Sequence, residues 1–320
     1  MRTLSHIPLS DIVYYHIGGE ARQLIEVSNK KELLETLAHV LKEKIRPIYV
    51  LGLGANLLIP DDGLSGIVIL LQSGNDNFKL EQNAQITAFA GATFDSLLKY
   101  SFSQNLVGLG WAGGLPSSVG GAIRGNAGAF GSETKDFVVS VDVVNVTDPL
   151  FKITTYSRSE CKFGYRDSIF KHNKDLIIIS AVFQLETASM EQLAKDEAVY
   201  HKNIAYRDLH HPMDYPSCGS IFKNIVEKDK IEKTLSVWPD MKEMVEKKWY
   251  GKVSMAYVIG RLGFSGYKVG NAQVSEKHNN YISNLGNAKA NEVEGIITAI
   301  TEVFMNKFGF KPELEVEVVA

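Results

Sequence analysis

The sequence predicts an α+β fold with more than one domain, and three observations carry that reading. The chain has 320 residues, enough for two or three domains at ~100–200 residues each. Its hydrophobic periodicity changes along its length: strand and helix signals alternate at the start, strands dominate the middle, and the last third mixes both. Between the strands of the middle part lies a 24-residue stretch, 108–131, that holds nine of the chain's 27 glycines. That density weakens any helix or strand.

Each element has a local reason. Residues 22–27 (RQLIEV) read as a strand. Asn29 then caps a helix, with Glu32 three residues later as in a capping box. Leu33, Leu34, Leu37, Val40 and Leu41 recur at helical spacing. Residues 47–51 are a short buried strand, 51–63 (LGLGANLLIPDDG) a turn-rich connection, and 67–71 another strand. Residues 85–90, 138–147, 152–156 and 175–185 are β-branched or alternating, as strands are. Thr93 is a good N-cap for a helix near 94–104. From about 187 to 206 the period is helical through Met190, Leu193, Tyr200 and Ile204. Ser254 caps a helix through Tyr257 and Ile259 that stops near Gly263. Residues 280–284 read as a strand. Val293, Ile296, Ile297, Ile300, Phe304 and Phe308 line an amphipathic helix ended by Gly309, and the final LEVEVVA alternates like a strand.

Composition excludes several classes. Hydrophobic residues make up 45% and charged residues 22%, the usual globular mix, so a core forms without disulfide or metal staples. A net charge of −3 with no basic stripe argues against nucleic-acid binding, and the charge clusters around Lys30 and Lys247 read as solvated helix faces. Cys161 and Cys218 give neither a disulfide framework nor a metal spacing, and the adjacent His210 and His211 are a poor metal pair, so no metal is expected. The start, MRTLSHIPLSD, lacks the apolar core of a signal peptide, and no apolar run reaches ~18 residues. The expectation is a cytoplasmic protein without membrane insertion, monomeric by default.

The glycine-rich stretch, GLGWAGGLPSSVGGAIRGNAGAFG, suits a backbone nest. Glycines let N–H groups converge on an anion, and a diphosphate is the natural occupant. Ser117, Ser118 and Asn126 add short polar side chains, while Ala122, Ala127 and Ala129 leave room. Upstream, Gly52-Leu53-Gly54-Ala55-Asn56 superficially suggests a dinucleotide fingerprint. Its third glycine position holds Leu57, and Ile59-Pro60-Asp61-Asp62-Gly63 cannot open a helix, so the strand–turn–helix context fails. A second phosphate-cradling turn fits better, which favours a flavin nucleotide over a Rossmann-bound one.

Three polar motifs follow: Phe163-Gly164-Tyr165-Arg166-Asp167-Ser168, then Tyr215-Pro216-Ser217-Cys218-Gly219-Ser220-Ile221-Phe222-Lys223-Asn224, then Glu313-Leu314-Glu315-Val316-Glu317. Taken singly, Arg166 reads as a surface ion-pair partner, Ser220 as a helix cap, and the glutamates as an edge strand. Cys218 has no His-plus-Asn arrangement to support it as a nucleophile.

In order, with Val274-Ser275-Glu276-Lys277-His278 between the last two, these motifs resemble the UDP-N-acetylenolpyruvoylglucosamine reductase family, also called UDP-N-acetylmuramate dehydrogenases. The resemblance runs from about Tyr15 to Val318. It implies an FAD-binding domain of the vanillyl-alcohol oxidase-like (PCMH) type in two α/β subdomains, plus a C-terminal α+β substrate domain. The corresponding boundaries are 1–205 for FAD (subdomains about 1–65 and 66–205), 206–308 for substrate, and 309–320 for a terminal strand carrying the catalytic glutamate. FAD-binding residues are then Gly52, Gly54, Ala55, Asn56, Gly113, Pro116, Ser117, Gly120, Gly121, Asn126, Ala127 and Gly128. The family's catalytic arginine, serine and glutamate match Arg166, Ser220 and Glu315; Tyr165, Lys223 and Asn224 match substrate contacts. NADPH and a UDP-sugar enol ether are the implied reactants, in peptidoglycan precursor synthesis.

The resemblance also implies two departures. With 53 residues between Arg166 and Ser220, an inserted loop with a uridine-covering tyrosine is absent, as in the family's shorter class. His210 and His211 precede Pro212 where members often carry a lysine; a histidine contacts phosphate only when protonated, so the expectation is weaker or more pH-sensitive diphosphate recognition. Two other functions share these features: a flavin-dependent alcohol or sugar oxidase, and a nucleotide-binding module without turnover.

Overall fold

The computed structural model describes residues 1–74, 77–148 and 150–319. The chain divides into two compact units. The first comprises Met1–Ile7, Ala21–Leu53 and Ser65–Leu209; the second comprises Pro8–Glu20, Gly54–Leu64 and His210–Ala320.

The first unit is built on two larger sheets. One has four strands in the order Arg2–Pro8, Glu20–Val27, Leu64–Leu71, Ile48–Leu51. The last two run parallel, Ile48 opposite Ile67 through Leu51 opposite Leu70. From Gly66 onward the strand Leu64–Leu71 is buried at every position, which explains its unbroken apolar run. Helix Lys30–Lys42 buries Leu33, Leu37 and Val40. Asn29 caps it by accepting the Glu32 N–H at 2.9 Å, and Glu32 reaches back to the Ser28 N–H at 2.8 Å, one residue beyond a capping box.

The second sheet is antiparallel, with strands in the order Ile153–Ser157, Val138–Asn145, Leu176–Gln184, Gln85–Phe89, Phe78–Leu80. Its apolar face shares one core with helices Phe94–Ser103 and Val119–Gly125. Phe94 meets Phe183 edge to face at 6.0 Å, an arrangement that aligns ring edge with ring face. Helix Met190–His210 completes the unit.

The second unit is built on a three-stranded antiparallel sheet: Lys268–Val269, Ala272–Val274 and Ile282–Asn284. Against it lies helix Ala290–Phe308, whose expected apolar stripe is buried and whose end is Gly309 at φ 73°. Asp61 closes the start of that helix by accepting the N–H groups of Ala290 and Asn291 at 2.9 and 3.1 Å. Ser254 caps helix Met255–Arg261 as expected.

The α+β reading stands, with four corrections in detail. Strand Arg2–Pro8 was not expected, because it is half-exposed to exposed throughout and carries no alternation. A short helix, Val119–Gly125, lies inside the glycine-rich stretch. Helices Lys228–Val237 and Lys242–Lys247 occupy a charged segment with few apolar positions. The terminal strand is only Glu317–Val318, paired in parallel with Leu57–Leu58; Ala320 lies outside the described residues. Among the described residues no helix is long and apolar enough to cross a membrane.

Candidate active site

The glycine-rich stretch belongs to the first unit, and its glycines do three different things. Ser118 caps helix Val119–Gly125 by accepting the Gly121 N–H at 3.1 Å, worth about 1 kcal/mol. The N–H groups of Val119 and Gly120 donate to the carbonyls of Ala92 and Ala90, both at 2.8 Å, so they are not open to an anion. Gly120 instead permits close packing: a Cβ there would sit 3.1 Å from the Ala90 Cβ. Gly121 is exposed at the helix surface.

At the other end of the stretch, helix Met190–His210 grips the backbone. The Asp196 carboxylate accepts the N–H groups of Gly108 and Gly110 at 2.9 and 3.2 Å. Asn203 donates to the carbonyls of Gly110 and Trp111, and Arg207 Nε donates to the Gly113 carbonyl at 2.9 Å. A Cβ on Gly113 would strike the backbone of Tyr200. None of these three anchoring side chains was picked out from the sequence. Each is one of many polar residues on a largely polar helix, and its partner lies 86 or more residues away.

Between these ends, Pro116 and Ser117 are half-buried, and the Ser117 hydroxyl donates to the Ser118 carbonyl at 2.9 Å. Gly52 abuts Ser118, whose Oγ would clash with any Cβ at that position. Among the described residues, no protein acceptor takes the N–H groups of Gly52, Leu53 or Ser118. Unpaired backbone donors beside a glycine that removes a side chain are what a diphosphate requires, so the residues of this unit fit a dinucleotide such as FAD.

The end of the stretch holds Arg166. Gly164, Tyr165, Arg166 and Asp167 form a tight turn, with Gly164 and Asp167 exchanging backbone bonds at 3.0 and 3.3 Å. Arg166 sits at φ 54°, in the left-handed region. Its guanidinium donates to the Gly128 carbonyl and, at 3.5 Å, to the Asn126 carbonyl; Glu133 lies 3.9 Å away. The Tyr165 ring lies 5.2 Å beneath it. Asn126, fully buried at φ 42°, donates to the Gly164 carbonyl at 2.7 Å and to Glu133 at 3.1 Å, and accepts the Lys135 N–H at 3.0 Å. Its amide therefore ties the arginine turn to the glycine-rich stretch. Ala127 and Gly128 share that junction, with Ala127 accepting from the Thr134 N–H and hydroxyl, both at 2.8 Å. Glu133, which also pairs with Lys135 at 2.6 Å, was missed in the sequence because nothing local distinguishes it.

The second unit brings Ser220 and Glu315 onto bonded neighbouring segments. Phe222 bridges Leu314 in antiparallel fashion, the Glu315 N–H donates to the Ile221 carbonyl at 2.8 Å, and the Lys223 N–H donates to the Glu313 carbonyl at 2.8 Å. Asn56 joins this pair: its amide donates to the Glu315 carbonyl at 3.0 Å, and its carbonyl accepts the Glu317 N–H at 3.0 Å. Gly54 turns against Val13 at φ 64°, and Ala55 is half-buried beside it.

The other expected substrate residues have structural partners. The Lys223 ammonium lies 3.7 Å from Glu313, which Lys230 also meets at 2.7 Å. Asn224 accepts the Met255 N–H at 3.0 Å, at the start of the helix that Ser254 caps. Cys218, fully buried between these segments, has its thiol pushed up to about 12 by burial, with the Glu315 charge adding to the shift. Tyr15 reaches the same place, donating to the Ile282 carbonyl at 3.0 Å. His211 Nδ1 lies 3.2 Å from the Tyr281 hydroxyl, and its imidazole meets that of His278 edge to face at 5.3 Å. Burial pushes His278 down to about 4, so it is neutral.

Comparisons with known proteins agree with this layout. Residues 211–319 match the family model for the C-terminal domain of UDP-N-acetylenolpyruvoylglucosamine reductase, and residues 21–152 match an FAD binding domain. A UDP-N-acetylenolpyruvoylglucosamine reductase of Caldanaerobacter subterraneus subsp. tengcongensis is 33% identical over 316 residues, 98% of this chain and 92% of the relative. One from Synechococcus sp. (strain WH7803) is 32% identical over 97% of this chain and 91% of the relative. The crystal structure of the Thermus caldophilus reductase superposes with a TM-score of 0.74 at 26% identity, covering 100% of both chains. The chain belongs to the UDP-N-acetylenolpyruvoylglucosamine reductase family.

Proposed function

We propose that this chain reduces the enolpyruvyl ether of UDP-N-acetylglucosamine to UDP-N-acetylmuramate in the cytoplasm, with NADPH as the electron source and FAD as the carrier. The observation that carries the reading, beyond family membership, is the bonded pairing of the Ser220 and Glu315 segments. In this reading residues 1–205 hold FAD, residues 206–308 hold the UDP-sugar, and 309–320 deliver Glu315. Gly52, Gly54, Ala55, Asn56, Pro116, Ser117, Gly120 and Gly121 would hold FAD, with Gly113, Asn126, Ala127 and Gly128 shaping their surroundings. Tyr165, Lys223 and Asn224 contact substrate.

When bound and reduced by NADPH, FAD would supply a hydride for the terminal vinyl carbon and return to its oxidised form. Negative charge then builds on the neighbouring carbon and its carboxylate. The planar Arg166 guanidinium, pre-set by the Asn126 and Gly128 carbonyls, matches that charge distribution. Glu315 assists as a protonated acid or by orienting a donor, since an ionised carboxylate facing an enolate repels it. Ser220 gives its hydroxyl proton to the carbanionic carbon, and solvent restores it.

Anaerobic stopped-flow absorbance tests this. NADPH should bleach the flavin, and the UDP-sugar enol ether should restore its colour. Reoxidation by oxygen alone indicates the oxidase, and no bleaching indicates a binding module; either removes the proposal. Ser220→Ala should leave bleaching unchanged and slow reoxidation by about 10²–10⁴-fold. Normal turnover in that variant would exclude Ser220 as the acid.

A further inference from the structure

Asn280 lies outside every motif the proposed chemistry uses, yet it is bonded to the segment that carries Ser220. It is buried, with 3% of its surface exposed. Its Oδ1 accepts the Phe222 N–H at 3.0 Å, and its Nδ2 donates to the Phe222 carbonyl at 2.8 Å. Its own carbonyl accepts the Ile221 N–H at 2.8 Å. One residue thus satisfies three backbone groups of two adjacent residues. Phe222 is fully buried, so water cannot take over those bonds.

The chain of bonds continues to the glutamate. The Ile221 carbonyl, immediately after Ser220, accepts the Glu315 N–H at 2.8 Å. Asn280 is itself fixed: the Tyr281 N–H donates to the His278 carbonyl at 2.9 Å, and Ser275 Oγ accepts the N–H groups of Lys277 and His278 at 3.2 and 3.3 Å. A rigid turn therefore grips the residues next to Ser220 on one side, and the Glu315 segment grips them on the other.

We infer that Asn280 is a positioning residue for Ser220, holding Ile221 and Phe222 so that the serine hydroxyl delivers its proton from one fixed place. The inference rests on Ser220 being the acid. Asn280 needs no contact with substrate or flavin. An aspartate at this position keeps the acceptor for the Phe222 N–H but faces the Phe222 carbonyl with a second acceptor, so it breaks half of the grip at nearly constant volume.

The test uses FAD-loaded full-length protein carrying Asn280→Asp, Asn280→Ala, Ser220→Ala, or Ser220→Ala combined with Asn280→Asp. Bleaching by NADPH should be unchanged in all. Reoxidation at saturating UDP-sugar enol ether should slow by about 10- to 100-fold in the Asn280 variants, the scale of a displaced reacting group. The enol ether's dissociation constant for the oxidised enzyme should not move. Adding Asn280→Asp to Ser220→Ala should cost nothing more.

Equal losses in both half-reactions, a weaker dissociation constant with normal saturated rate, or multiplied losses in the double variant would each overturn the inference. So would an Asn280→Asp protein that fails to fold with FAD, which would make the role purely structural. If unaltered protein performs neither half-reaction, the proposed function fails instead, and the two failures are told apart.

Discussion

A single imidazole shows how burial sets chemistry at the scale of one residue. His278 Nδ1 is buried without a hydrogen-bond partner among the described residues. Burial pushes its pKa down to about 4, against the opposing pull of a backbone hydrogen bond. In the unfolded chain a histidine titrates near ~6.5, so between about 4 and 6.5 the unfolded state binds more protons. The stability this neutral ring allows is complete above about pH 6.5 and lost as pH falls toward 4, at most about 3 kcal/mol. Denaturant midpoints at pH 7.5, 6 and 5 should therefore fall more steeply for the unaltered protein than for His278→Gln. Parallel curves would remove His278 as the source. Arg166 makes a different point: it occupies left-handed backbone at a cost of about 1–2 kcal/mol, offset by the turn and carbonyls that hold it.

Among the elements, the glycine-rich stretch and helix Met190–His210 behave as one piece, joined through Asp196, Asn203 and Arg207. Gly113 is where they approach most closely through backbone, since a Cβ would meet Tyr200 main-chain atoms. Gly113→Ala should destabilise the protein by about 1–3 kcal/mol through overpacking, read from the urea midpoint. An unchanged midpoint would show that the two segments separate freely. The strands 85–90, 138–147 and 175–185 and the caps Asn29, Thr93, Ser254 and Gly309 were legible in the sequence because alternation and capping act over a few residues. Helix Val119–Gly125 was not, because Gly120 serves packing against Ala90, a partner no local window contains. The pairing of Ile221 with Glu315 was equally hidden: those residues lie far apart in the chain and meet only through tertiary hydrogen bonds. What the sequence did carry for the site was the order of its polar motifs, which is a matter of composition along the chain and not of geometry.

For the molecule as a whole, both thiols report on opening. Cys161 and Cys218 are buried, and burial pushes each up to about 12. Thiolates are the reactive form, so neither should alkylate at pH 8 in the folded protein. Labelling by iodoacetamide, followed by mass, should appear only as each surrounding unit opens; rapid modification of both under native conditions would contradict the burial. The second unit also draws on Pro8–Glu20, Gly54–Leu64 and His210–Ala320, and its last pairing joins Glu317–Val318 to Leu57–Leu58. During synthesis at about 5–20 residues per second, the early pieces wait on the order of tens of seconds for their partners to be made. Translation thus imposes a schedule: the first unit has all its strands once residue 209 has emerged, whereas a chain stopped before Glu317 leaves Leu57 and Leu58 with an open edge that invites capture by chaperones or aggregation.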